Sequence, residues 1–227
     1  MPFPGIEQRV AEVRDRIADR VARSGRGHAV RIVAVTKTYG AEAVEAAFAC
    51  GLADVGENRV QEAIAKMPNV VAPVRWHLIG HLQRNKVKHL ENFVMLHSLD
   101  SPRLADAVDE DGRARGKAHR VLMQVNTSGE ETKGGWSLAE LAPEADRLRQ
   151  RQGLEVVGVM TMAPLGAREE VLRQTFGGAR RACELLRQAG HPATELSMGM
   201  SNDFEVAVEE GATMVRLGTI LFGARAP

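Results

Sequence analysis

The sequence predicts an α/β fold: a single (β/α)8 barrel of the TIM type, preceded by an extra N-terminal helix. Three observations lead there. Short aliphatic or β-branched runs end near Lys37, Gly56, Gly80, Ser98, Thr127, Met162, Met198 and Gly218, which makes eight strand ends. Helical segments lie between most of them, and a strand followed by a crossover helix pairs parallel to the next. The 227 residues suit the lower size limit of such a barrel, roughly 200 residues. An open doubly wound sheet is the competing arrangement. It is disfavoured because Thr-Lys-Thr-Tyr-Gly (36–40) follows the first strand, where a Gly-x-Gly-x-x-Gly would stand.

The elements follow in order. Ile6, Val10, Val13, Ile17 and Val21 are spaced to form one apolar stripe at 3.6 residues per turn, with Glu7, Arg9, Arg14, Asp15 and Arg16 around it. This amphipathic helix ends at Ser-Gly-Arg-Gly (24–27), so residues 1–27 form an appendage that covers the barrel or a second subunit. Val30 to Lys37 is a β-branched run bounded by glycines and reads as a buried strand. Ala41 to Cys50 reads as a helix closed by Gly51, and further helices are expected over Ser137–Arg151 and Arg168–Ala189. Gly177 and Gly178 weaken the middle of the last, at about 1 kcal/mol each against alanine. No linker or low-complexity stretch divides the chain, and residues 1–227 read as one domain.

Composition excludes several classes of function. With Lys+Arg 30 against Asp+Glu 29 the net charge is +1, unlike a general nucleic-acid binder, whose affinity rests on neutralising phosphates. At 44% hydrophobic and 26% charged residues the chain is not disordered. Cys50 and Cys183 are too few for a disulfide framework. No run reaches the ~18 apolar residues of a membrane span, and the N-terminus mixes acidic and basic residues unlike a signal peptide. A soluble, cytoplasmic protein is expected. Aromatic residues are only 4%, so aliphatic side chains must fill the core.

Active sites of parallel barrels lie at the carboxyl ends of the strands, so polar residues there are the candidates. Lys37 closes the first strand, where partial shielding from water lowers an amine's pKa and lets it attack a carbonyl; a plain surface lysine is the alternative. Ser197-Met198-Gly199-Met200-Ser201-Asn202-Asp203 precedes a helix from Phe204, and combines hydroxyl donors with a glycine and a helix start, an arrangement suited to phosphate. Simple helix capping by Ser201, Asn202 or Asp203 is the alternative. Val215-Arg216-Leu217-Gly218-Thr219 ends the eighth strand, and loops after strands seven and eight often form a barrel's phosphate site. If Arg216 points inward it needs an acceptor, from a ligand or a carboxylate. His77 and His81 lack the setting of a zinc helix and are assigned to packing or loop hydrogen bonds. The basic run His81–His89 reads as a solvated face, and Met160, Met162, Met198 and Met200 as core packing. No metal ligands are expected. An imine-forming lysine with two phosphate loops suits pyridoxal 5′-phosphate (PLP) or a sugar phosphate.

Longer strings decide between these. Val35-Thr36-Lys37, Gly56-Glu57-Asn58-Arg59-Val60-Gln61-Glu62 and Trp76-His77-Leu78-Ile79-Gly80-His81-Leu82-Gln83-Arg84-Asn85-Lys86 look like signatures of one family. Val125-Asn126, Glu131-Thr132-Lys133-Gly134, Gly158-Val159-Met160-Thr161-Met162 and the two phosphate-loop segments complete the pattern. From about Val30 to Gly223 the chain resembles the pyridoxal phosphate homeostasis proteins, which are similar to the N-terminal barrel of alanine racemase and to PLP fold type III. The resemblance implies that Lys37 carries PLP as an aldimine, Arg216 faces the pyridine nitrogen, and Ser197, Gly199, Ser201, Gly218 and Thr219 surround the phosphate. Asn58 would face the cofactor. Arg59 stands where many members have tyrosine.

Two functions compete. A charged arginine at the pyridine nitrogen disfavours ring protonation and makes the cofactor a poorer electron sink. Alanine racemase shares that arginine but adds a tyrosine base from a second domain, for which 227 residues leave no room, and the only tyrosine here is Tyr39. The expectation is therefore a PLP carrier acting in intracellular PLP homeostasis, with no catalytic residue assigned. A low-activity amino-acid racemase is the alternative, and a sugar-phosphate aldolase is disfavoured by the family strings. Apo PLP-dependent enzymes are the implied recipients, and a monomer and a weak homodimer both remain open.

Overall fold

The computed structural model describes residues 3–127 and 134–223. Its strands are β1 (Arg31–Val35), β2 (Asp54–Glu57), β3 (Arg75–Leu78), β4 (Met95–Leu99), β5 (His119–Gln124), β6 (Leu154–Met160), β7 (Glu195–Ser197) and β8 (Met214–Leu217). All pair parallel in sequence order, and β1 pairs with β8, so the sheet closes into the expected barrel. The helices are α1 (Ile6–Ser24), α2 (Ala41–Ala49), α3 (Val60–Lys66), α4 (Pro102–Arg115), α5 (Leu138–Arg149), α6 (Glu169–Gln188), α7 (Phe204–Glu209) and α8 (Thr219–Phe222). Between β3 and β4 a 3₁₀ segment, Arg84–Asn92, replaces the crossover helix. It takes up the basic run noted above.

Alternation along these short strands sorts the side chains. Val33, Met95, Leu122, Val157, Met160 and Met214 form an interior cluster, separate from the larger one between barrel and helices. No aromatic ring is in the inner cluster; Phe176 and Phe204 are fully buried in the outer one. The apolar part of a narrow barrel interior, made of aliphatic and methionine side chains, is in keeping with the low aromatic content.

The α1 stripe buries Ile6, Val10, Val13 and Ile17 against the barrel side, next to α7 and α8, rather than leaving it open for a partner. Arg9 Nε donates to the Leu221 carbonyl at 2.7 Å, tying α1 to α8. Gly25, at φ 65°, ends the helix as its spacing predicts. α5 begins with a full capping box between Ser137 and Glu140. α6 runs unbroken through Gly177 and Gly178, and a Cβ on Gly178 would lie 2.8 Å from the Thr127 Cβ. Packing against the loop after β5 requires the glycine and outweighs its poor helix propensity. No helix of the described residues is long and apolar enough to cross a membrane.

Candidate functional site

A cavity of about 740 Å³ opens at the carboxyl ends of the strands. Lys37, Asn58, Ser201, Arg216, Gly218 and Thr219 all line it. Six of the eight expected residues, drawn from four strand ends, therefore meet in one place. Ser197 and Gly199 are not among the residues that line it. Ser197 is fully buried beneath Arg216, and Gly199, at φ 92°, holds the loop against α7, where a Cβ would come within 2.7 Å of the Ala207 Cβ.

Lys37 is half-buried and stands two residues past the end of β1, outside the strand expected to run as far as it. The strand stops because Thr36 turns into the helix layer. There its Oγ1 donates to Glu57 Oε1 at 2.6 Å, and Lys66 Nζ donates to the Thr36 carbonyl at 2.8 Å and pairs with Glu57. This buried cluster fixes the peptide just before Lys37. Thr38 follows at φ 68°, a left-handed conformation that costs a β-branched residue energy and here gives the chain its turn.

Asn58 is set by a close backbone approach. A Cβ on Gly80 would sit 2.4 Å from the Asn58 carbonyl oxygen, so the ends of β2 and β3 touch only because residue 80 is glycine. On the far wall, Ser201 lies ahead of α7, whose Phe204 N donates to the Met200 carbonyl at 2.9 Å, and Gly218 and Thr219 open α8, whose Leu221 N donates to the Gly218 carbonyl at 2.9 Å. Ile220 N donates to Ser201 Oγ at 3.4 Å, joining the two loops.

Arg216 points inward. Its Nη1 donates to the Ser197 carbonyl at 2.8 Å and to Ser197 Oγ at 2.7 Å, and its Nη2 to the Thr161 carbonyl at 3.0 Å. No ion pair joins it to a carboxylate among the described residues. Burial pushes its pKa down to about 10, partly offset by the charge of Asp203. It stays cationic at neutral pH, anchored by neutral oxygens in the cavity wall.

Several residues that sequence reasoning passed over belong here. Ile79, Leu165 and Leu172 add apolar wall, and Gln124 and Asp100 add polar groups, the latter accepting from His81 at 2.7 Å. Met162 and Met200 line the cavity instead of filling the core, whereas Met160 and Met198 are buried as expected. Of the Glu131–Gly134 string, residues 131–133 lie outside the described residues and Gly134 lines the cavity. Tyr39 packs against Phe3 and Phe222 at ring-centroid distances of 5.4 and 5.2 Å, and is not a lining residue. His77 is buried and bonded to Asp54 and His97. The signal for His97 was present: it interrupts the apolar run Met95-Leu96-His97-Ser98-Leu99.

Fold and site together define a parallel barrel with an amine, a buried arginine and two glycine-bearing loops at its mouth. The family described as "Alanine racemase, N-terminal domain" matches residues 10–226. The pyridoxal phosphate homeostasis protein of Aquifex aeolicus is 40% identical over 222 residues, covering 96% of this chain and 97% of that protein. The chain belongs to the pyridoxal phosphate homeostasis protein family. PipY of Synechococcus elongatus PCC7942, solved with PLP bound, superposes with a TM-score of 0.85 at 39% identity, over 96% of this chain and all of that one. Alanine racemase from Corynebacterium glutamicum shares the fold, with a TM-score of 0.72 at 20% identity, over 93% of this chain and 61% of that one.

Proposed function

We propose that this chain binds PLP at the barrel mouth and holds it through Lys37, in the service of PLP homeostasis. The carrying observation is one cavity that joins a half-buried lysine, a buried arginine with no ion pair to a carboxylate among the described residues, and the Ser201 and Gly218–Thr219 loops. The site fits the group on its own features. About 740 Å³ is ample for a pyridine ring with a phosphate arm. Ser201, Gly218 and Thr219 supply donors to a phosphate, and Ile79, Met162 and Leu172 supply apolar surface to a ring. Arg216 donates to a ring nitrogen and disfavours a proton on it. Asn58 stands on the wall shared with Gly80. Ser197 and Gly199 act one layer deeper, by supporting Arg216 and the β7 loop.

Bound there, PLP would supply a reactive aldehyde within reach of an amine, and Lys37 is the lysine that lines the cavity among the described residues. The residues around it hold the group and do little else. The described lining residues include no tyrosine, and Tyr39 is engaged in an aromatic cluster. That favours a holder of PLP over a racemase.

Purified protein mixed with PLP is expected to turn yellow. Borohydride should then fix one PLP-sized mass on the peptide containing Lys37 and none in Lys37→Ala. A protein that stays colourless, or a label on another lysine, would refute the assignment. In deuterated water, D- or L-alanine should exchange its α-proton far more slowly than a racemase would allow.

A further inference from the structure

A line of buried polar side chains runs down the barrel axis from the cavity to the opposite face. Arg216 Nη1 meets Ser197 Oγ at 2.7 Å, Ser197 Oγ meets His97 Nδ1 at 2.8 Å, His97 Nε2 meets His77 Nδ1 at 2.9 Å, and His77 Nε2 meets Asp54 Oδ1 at 2.9 Å. Arg75 closes the far end, its Nε donating to Asp54 Oδ1 at 2.7 Å. His77, His97 and Ser197 are each 1% exposed or less. Five strands contribute, so only closure of the barrel assembles the line.

Donor and acceptor counting fixes its direction. Asp54 is held as a carboxylate by Arg75 and His77 and can only accept. His77 therefore donates from Nε2. A charged His77 or His97 would add a cation beside Arg216 and Arg75, while Arg31 is already paired with Glu195, and Asp54, the carboxylate bonded to the line among the described residues, with Arg75. With both rings neutral, His77 Nδ1 accepts from His97 Nε2–H, and His97 Nδ1 accepts the Ser197 hydroxyl proton. Ser197 then turns a lone pair to Arg216. In the reverse direction two donors converge on Ser197 Oγ and its own proton has no partner along the line.

We infer that His97 and His77 are positioning residues for the cofactor site: they hold the Ser197 hydroxyl so that its oxygen accepts from Arg216 and anchors the guanidinium at the cavity wall. The cofactor arm of this inference rests on the reading proposed above, and the tautomers do not.

Long-range ¹H–¹⁵N spectra of the labelled, PLP-free protein at neutral pH test the direction. Both histidines are expected as neutral Nε2–H tautomers; an Nδ1–H tautomer or an imidazolium at His97 overturns it. With PLP added, His97→Phe removes the acceptor for Ser197 and is expected to bind PLP about tenfold more weakly with a shifted absorption maximum, the size of one hydrogen bond to a charged group. In His97→Asn the amide oxygen replaces Nδ1 as acceptor and should restore most of both. Equal binding by wild type and both variants, or equal loss in both variants, overturns the role. If the wild type itself takes up no PLP, the cofactor reading fails and the tautomers alone decide the line.

Discussion

Arg216 carries a charge into the barrel wall, where its hydrogen bonds among the described residues go to Ser197 and Thr161 oxygens. Such burial is costly for folding, which makes sense where a ligand needs the cation. Arg216→Gln should separate the two roles. The amide can still donate to Ser197 or Thr161, and no buried carboxylate loses a partner. The thermal midpoint should equal or exceed that of the wild type while PLP binding falls about tenfold or more. A midpoint several degrees lower with unchanged PLP binding and spectrum would show the arginine to be structural. The residue types at this site were legible because polar groups stand out in apolar strand ends, as Lys37, Arg216 and Thr219 do. Depth was not legible. Ser197 and Ser201 look alike in the string, yet one lies under Arg216 and the other on the cavity surface.

Among the elements, α1 matters to the site without touching it. Its stripe packs beside α7 and α8, the two short helices that begin at the cavity-lining Ser201–Asp203 and Gly218–Thr219 loops, and Arg9 grips the last turn of α8. Arg20 adds ion pairs to Glu205 and Glu209 of α7, and Arg173 of α6 shares Glu209. A helix of four or six residues has little stability of its own, so this backing holds the loops in place. Ile6→Ala removes a fully buried side chain and is expected to destabilise the protein by about 2–5 kcal/mol, measured by urea unfolding. PLP binding should weaken with it, since the lining loops ahead of α7 and α8 lose their backing. A loss of stability with full PLP affinity at low urea would mean that α7 and α8 stand without α1. The stripe itself was plain in the sequence. Its target was not, because spacing gives the face of a helix but not the surface that meets it.

For the whole molecule, barrel closure brings together residues far apart in sequence, and this decides how stability responds to acid. His97 is 20 residues from His77 and 100 from Ser197; no local pattern links them, which is why the axial line escaped sequence reading while the eight strand ends did not. Burial, aided by the charges of Arg216 and Arg31, pushes the His97 pKa well below the ordinary value, and His28 is lowered by burial as well. The unfolded chain takes up protons at these histidines below about pH 6.5 while the folded one resists. Stability should therefore start to fall near that pH, by about 1.4 kcal/mol per unit for each proton the folded state refuses. A second, steeper loss belongs to carboxylates. Burial alone would raise Asp54, but Arg75 and His77 overcome it and hold it far below the usual range; Glu205 is lowered by Arg16, and Glu209 by Arg173 and Arg20 against its own burial. Groups depressed in this way stabilise the fold above about pH 4 and cease to do so as the pH falls through their folded values. Urea midpoints of the PLP-free protein at steps from pH 8 to pH 3 should trace a plateau, a gentle slope from about pH 6.5 and a sharp fall below about pH 4. His97→Phe should flatten the gentle slope and leave the fall below pH 4 in place. An unchanged slope in that variant would put its source outside the barrel axis.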